Sequence, residues 1–239
     1  MKTMILATVT LVLFAGCFAS ANALSNTSAS APQEKEKQEK KDPLLNPDGA
    51  TAKAPDTFRV KFETSAGSFV LECNRKWSPN GADRFYNLVK IGYFKDIAIF
   101  RAIDGFMFQF GIHGDPKVSR VWREAKIKDD ASAKGVSNKP GYISFATAGP
   151  DTRTTQMFIN LGDNERLDSM GFTPFGRVVS GMDVVKKVNT EYGENARSDQ
   201  RRFQAEGNAF IKGKYPNVDF IKSVTLVKQK KGSEKKSDK

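Results

Sequence analysis

Apolar and polar residues alternate with a period of two over several short stretches, the repeat of a half-buried strand. Phe58, Val60 and Phe62 alternate with Arg59, Lys61 and Glu63. Ser65-Ala66-Gly67 then turns the chain and Ser68 to Cys73 returns it, which predicts a β-hairpin. Ser78-Pro79 is expected to cap a helix, with Pro at the first helical position; Phe85, Leu88 and Val89 fall at i, i+3 and i+4, the spacing of one helix face, up to Gly92. Strands are predicted near 97–101, 106–111, 141–146, 156–160, 174–179 and 219–228, with a second helix opening at Ser180-Gly181-Met182-Asp183 and running to about 189. Residues 112–140 read as a long polar connection with one short element over 122–130, and 192–217 as a second long loop. Two helices among seven or eight short strands fit a mainly β fold, a closed eight-stranded antiparallel barrel capped by two helices.

Two stretches carry an unusual mix of side chains. In 100–111, Met107, Gln109 and Gly111 share one strand face, with Phe108 and Phe110 on the other. In 144–160, Gln156 and Phe158 share a face, opposite Met157 and Ile159. Each strand thus has a core side and a side pairing an apolar group with an amide. Such a face suits a ligand that is part hydrocarbon and part peptide bond.

Composition bounds the rest. The 239 residues suffice for one sizeable domain with tails, and the 18 phenylalanines suit a β core. Residues 1–23 have the form of a signal peptide: Lys2, an apolar run from Met4 to Phe18, and the cleavage pattern Ala21-Asn22-Ala23. The expectation is export to a periplasm or medium. A second reading is open, because Phe14-Ala15-Gly16-Cys17 resembles a bacterial lipobox and would give a lipoprotein anchored through Cys17. Residues 24–57, rich in Ser, Ala, Pro, Gln, Glu and Lys, read as a disordered linker, 58–228 as the folded domain, and 229–239 as a Lys-rich disordered tail. With Cys17 removed, Cys73 stands alone in a strand pattern and reads as core. Two cysteines and one histidine do not make a tetrahedral metal site, so no metal or cofactor is expected. The net charge of +11 sits partly in the Lys-rich tail without interleaved aromatics, so nucleic acid is not the expected partner. A monomer is the default.

The two stretches also resemble the cyclophilin-type peptidyl-prolyl cis-trans isomerases. The likeness spans roughly residues 58–227. It rests on the order Arg101, Phe106-Met107, Gln109, then Ala146-x-Ala148-Gly149-Pro150, Gln156, Phe158, Leu167-Asp168 and Phe175-Gly176. The resemblance implies the capped barrel and an activity on X-Pro bonds. It makes Arg101 the catalytic donor to the prolyl nitrogen, and a guanidinium with five N–H groups suits that task. Spacing alone leaves Phe106, Met107, Phe158 and Leu167 equally at home in a core; the resemblance puts them in a proline pocket. Gln109 and Gln156 would bond the peptide backbone, and Ala146, Thr147 and Ala148 would lie along the groove. Arg166 and Phe172 would border it. The partners implied are proline-containing segments of folded or unfolded proteins.

Departures from the family pattern are specific. Phe100 stands where histidine is frequent, Phe110 and Ile112 replace Gly and Asp of a Q-G-G-D run, and Thr147 replaces Asn. Arg166 stands where human-type members have Trp and many bacterial ones Phe, and Phe172 falls near a second family histidine. The Arg donor and ring pocket are intact, whereas outer contacts and cyclosporin binding, which leans on that Trp, are expected to weaken. A non-catalytic proline-binding or chaperone module of the same fold, and a scaffolding role through the tails, are the competing readings.

Overall fold

The computed structural model describes residues 42–228. The expected signal peptide, Cys17 and the Lys-rich tail 229–239 fall outside them. Nine strands form one antiparallel sheet in the order β3-β9-β1-β2-β8-β6-β7-β5-β4. They are β1 (Thr57–Thr64), β2 (Ser68–Asn74), β3 (Ile97–Ala98), β4 (Arg101–Ile103), β5 (Met107–Phe110), β6 (Tyr142–Phe145), β7 (Met157–Asn160), β8 (Pro174–Ser180) and β9 (Phe220–Leu226). The sheet curls so that its two end strands, β3 and β4, are neighbours in sequence, separated only by Ile99 and Phe100. Where eight strands are expected, the ladder has nine, because this one run is divided between the two ends.

The core lies on one face of the sheet. Val60, Phe62, Phe69, Leu71, Cys73, Phe108, Phe110, Met157 and Ile159 are buried there. Helix α1 (Pro79–Lys90) covers it with Phe85, Leu88 and Val89, as the spacing predicts. Its cap differs from expectation. Ser78 makes no capping bond to the helix; instead Asp130, about fifty residues downstream, accepts from the N–H groups of Asn80 and Gly81, each at 2.9 Å. A carboxylate at a helix N-terminus satisfies orphan donors and meets the positive end of the dipole. Ser78 Oγ donates to the same carboxylate at 2.6 Å.

Four expectations need correction. The segment 42–57, assigned to a disordered linker, packs on the domain through two 3-10 turns, Pro43–Leu45 and Pro47–Gly49. Trp122 Nε1 donates to Leu44 O at 2.8 Å, and Asn87 exchanges two bonds with the backbone of Ala52. The connection 112–140 contains helix α2 (Pro116–Glu124), which buries Val118 and Trp122. The loop 192–217 contains helix α4 (Gln200–Lys214), kinked at Gly207. The helix expected from Met182 to about 189 is a single turn, α3 (Met182–Val185). The curled sheet is thus dressed by more than two helices.

Helix α4 has a core of its own. Phe203, Ile211 and Tyr215 bury against Ala98, Phe100 and Ile112, and the Phe100 and Phe203 rings lie 5.7 Å apart. Phe100 and Ile112 are two of the positions that depart from the family pattern. Their apolar character follows from their place beneath α4, where an imidazole or carboxylate would need a polar partner.

Candidate active site

Strand register sets the site. Arg101 on β4 pairs with Gln109 on β5, Gln109 with Phe158 on β7, and Phe158 with Ser144 on β6. At about 4.8 Å between strands, these side chains form one row across the sheet. The row faces away from the main core, whereas the adjacent row, Ala102, Phe108, Ile159 and Ile143, faces into it.

Met107, Phe158 and Leu167 form a separate buried apolar cluster on the outer face, edged by Ile103, Phe106, Ala146 and Phe172. Phe172 meets Phe158 edge-on at 5.6 Å. The rims are held by backbone. Phe106 O accepts from Leu161 N at 2.8 Å and from Asn164 Nδ2 at 2.7 Å, which ties the 103–106 turn to the 161–164 turn. Asn138, fully buried, donates to Asp168 Oδ1 and to Phe172 O, each at 2.7 Å, and so positions the segment presenting Leu167 and Phe172.

Polar groups line the other half. Arg101 Nη1 donates to Gln109 Oε1 at 3.2 Å, and Gln109 Nε2 to Gln156 Oε1 at 2.9 Å. The Arg101 side chain is 14% exposed, and its guanidinium lies 5.9 Å from the centre of the Phe106 ring. Its Nε donates to Glu194 Oε2 at 3.1 Å and its Nη2 to Glu194 Oε1. Three of its five N–H groups are engaged in these bonds, so two remain. Glu194 sits just before a 3-10 turn (Asn195–Asp199) whose Ala196 is fully buried.

A cavity of about 720 Å³ joins both halves. Every site residue expected from sequence lines it except Arg166, whose guanidinium lies instead over the Phe106 ring at 4.9 Å. Sequence reasoning missed one wall, made by Arg123, Glu124 and Lys126 at the end of α2 and by Arg197, Gln200 and Gln204 at the start of α4. The signal for α2 was present: Asp115-Pro116, then Val118, Val121 and Trp122 at i, i+3 and i+4. Among the described residues there is no cluster of three or more His, Cys, Asp or Glu suited to a metal. Burial holds the single histidine, His113, below its ordinary pKa, and its Nδ1 accepts from Asp115 N at 3.0 Å. Burial raises the Cys73 thiol well above its ordinary value, consistent with a core residue.

Comparison with known proteins identifies this architecture. The model of the family "cyclophilin type peptidyl-prolyl cis-trans isomerase/CLD" matches residues 59–206. A peptidyl-prolyl cis-trans isomerase of Acinetobacter baylyi is 34% identical over 134 residues, covering 54% of this chain and 70% of that protein. A cyclophilin-type isomerase of Cryptosporidium parvum superposes with a TM-score of 0.54 at 19% identity, covering 73% of this chain and 99% of its own. The same protein's structure in the presence of the dipeptide Ala-Pro gives 0.52 at 19% identity, covering 72% and 99%. A mainly β protein with an apolar slot and an arginine on its outer wall is thus placed in a class of enzymes. The chain belongs to the cyclophilin-type peptidyl-prolyl cis-trans isomerase family.

Proposed function

We propose that this chain accelerates X-Pro isomerisation in exported proteins, with Arg101 donating to the prolyl nitrogen beside a pocket of Phe106, Met107, Phe158 and Leu167. The barrier to rotation is about 18–20 kcal/mol and comes from amide conjugation. A hydrogen bond to the nitrogen favours its pyramidal form, in which conjugation is lost, so it stabilises the twisted state over the planar one. The pocket holds the ring while the acyl side turns. Gln109 and Gln156 bond the substrate backbone, with Ala146, Thr147 and Ala148 along the groove. Glu194 and Gln109 hold the guanidinium from two sides and leave two N–H groups for substrate. The observation that carries the reading is the register row, which puts a partly desolvated cation, an amide and a phenyl ring side by side. The groove lies on the outer face of the curled sheet, and the Ala21-Asn22-Ala23 pattern supports export.

One observation favours the second reading, a proline-binding module with little turnover: the Glu194 carboxylate pairs with Arg101 and competes with substrate for its guanidinium. Exchange spectroscopy on a short proline peptide separates the two. Arg101→Ala is expected to lower kcat/KM about a hundredfold or more, the scale of losing one preorganised donor. Equal rates for wild type and variant would remove the enzyme reading and leave the binding module.

A further inference from the structure

The wall facing the proline pocket has a charge character of its own. Arg123 and Lys126 follow each other at the end of α2, and Arg197 precedes α4; all three are exposed and line the cavity. Among the described residues neither Arg123 nor Lys126 forms an ion pair, and Arg197 comes only to 4.0 Å of Glu194 Oε2. Glu124 is the one acidic side chain of the wall, since the Glu194 carboxylate is bound to Arg101. Between the cations stand the amides of Gln200 and Gln204, both half-buried. The wall is rigidly mounted. Arg123 and Glu124 extend from a helix anchored by fully buried Trp122, and the α4 residues flank Ala196 and Phe203, also fully buried.

We propose that this wall is a subsite for acidic side chains, so that the groove selects proline segments carrying Asp or Glu near the proline. The inference rests on reading the groove as a proline-peptide site and adds the class of segment it takes. An extended segment with its ring in the apolar slot passes between the two walls. Carboxylates on its far side meet Arg123, Lys126 and Arg197, while the glutamine amides bond the segment's polar groups. Lysine or arginine at the same places is repelled, and like-charge rejection is as much a part of selectivity as attraction. Solvent exposure makes each pair modest and salt-dependent.

The test uses matched proline peptides with Glu, Gln or Lys at each flanking position, assayed both for turnover and for equilibrium binding. At low salt, Glu peptides are expected to exceed Lys peptides about fivefold to tenfold in kcat/KM and in affinity, the scale of two or three surface ion pairs. The ratio is expected to shrink toward one as salt is raised. In the double variant Arg123→Glu, Lys126→Glu it is expected to fall below one. Equal turnover and equal affinity across the three peptide sets in wild type would overturn the inference while leaving the isomerase reading intact. Absence of turnover with a preserved Glu preference in binding would do the reverse. Preference for Lys peptides, or a Glu preference unchanged by salt and by the double variant, would also overturn it.

Discussion

Arg101 shows how much one side chain depends on its neighbours. Its Cα position follows from pairing with Gln109, but the direction of its fork follows from Glu194, ninety-three residues away. In sequence Arg101 stood only at the end of a predicted strand, and its role came from the family resemblance rather than from a pairing. The contact with Glu194 was not legible, because a Glu in an irregular polar loop carries no periodic signal. His113 offers a residue-scale test of burial. Its pKa lies below the ordinary 6.5 in the folded chain, mainly because the ring is desolvated against Tyr93 at 5.0 Å. Between the folded value and 6.5 the unfolded chain binds a proton that the folded chain does not. The stabilising contribution is therefore complete above about 6.5 and is lost as pH falls through that window. Because the chain has one histidine, its imidazole gives one NMR titration. A midpoint below 6.5 is expected, and one at or above 6.5 would contradict the packing described.

Elements were legible where their apolar pattern is local. The hairpin β1–β2 alternates cleanly, and α1 has its stripe at i, i+3 and i+4. Helix α4 was missed because Glu206 and Gly207 interrupt the stripe between Phe203 and Ile211. The structure explains the interruption. Gly207 has φ 64°, and a Cβ there would stand 2.1 Å from Gly114 O. The kink lets α4 sit on the loop before α2, with Asn208 N donating to Gly114 O at 3.0 Å. Gly207→Ala is expected to cost about 1–3 kcal/mol for the backbone conformation alone, with the clash added to it. It should also loosen the basic wall. A urea midpoint equal to wild type would show that α4 seats without this approach. The α1 cap was illegible for a different reason: Ser78 satisfies every local rule, yet a carboxylate delivered by a distant loop takes its place.

At the scale of the molecule, the domain begins earlier than its strand pattern suggests. Residues 42–56 have no stripe of their own; what holds them are single bonds to helices α1 and α2, which no periodicity in the segment could announce. The family match spans 59–206, so both this strap and the second half of α4 lie beyond it. A chain starting at residue 57 is expected to be less stable than one starting at 42 by about 2–4 kcal/mol. That is the order of uncovering Leu44 and Leu45, removing both bonds between Asn87 and Ala52, and leaving Trp122 without its acceptor. Equal denaturation midpoints for the two chains would contradict it.

The bond from Trp122 to Leu44 O also gives the protein a built-in optical gauge. Of its two tryptophans, Trp77 is half-buried against Tyr142, while Trp122 is sealed and hydrogen-bonded to the strap. Lifting the strap would wet the Trp122 indole and shift its emission to the red before the sheet opens, so fluorescence and circular dichroism should part company along a denaturation curve.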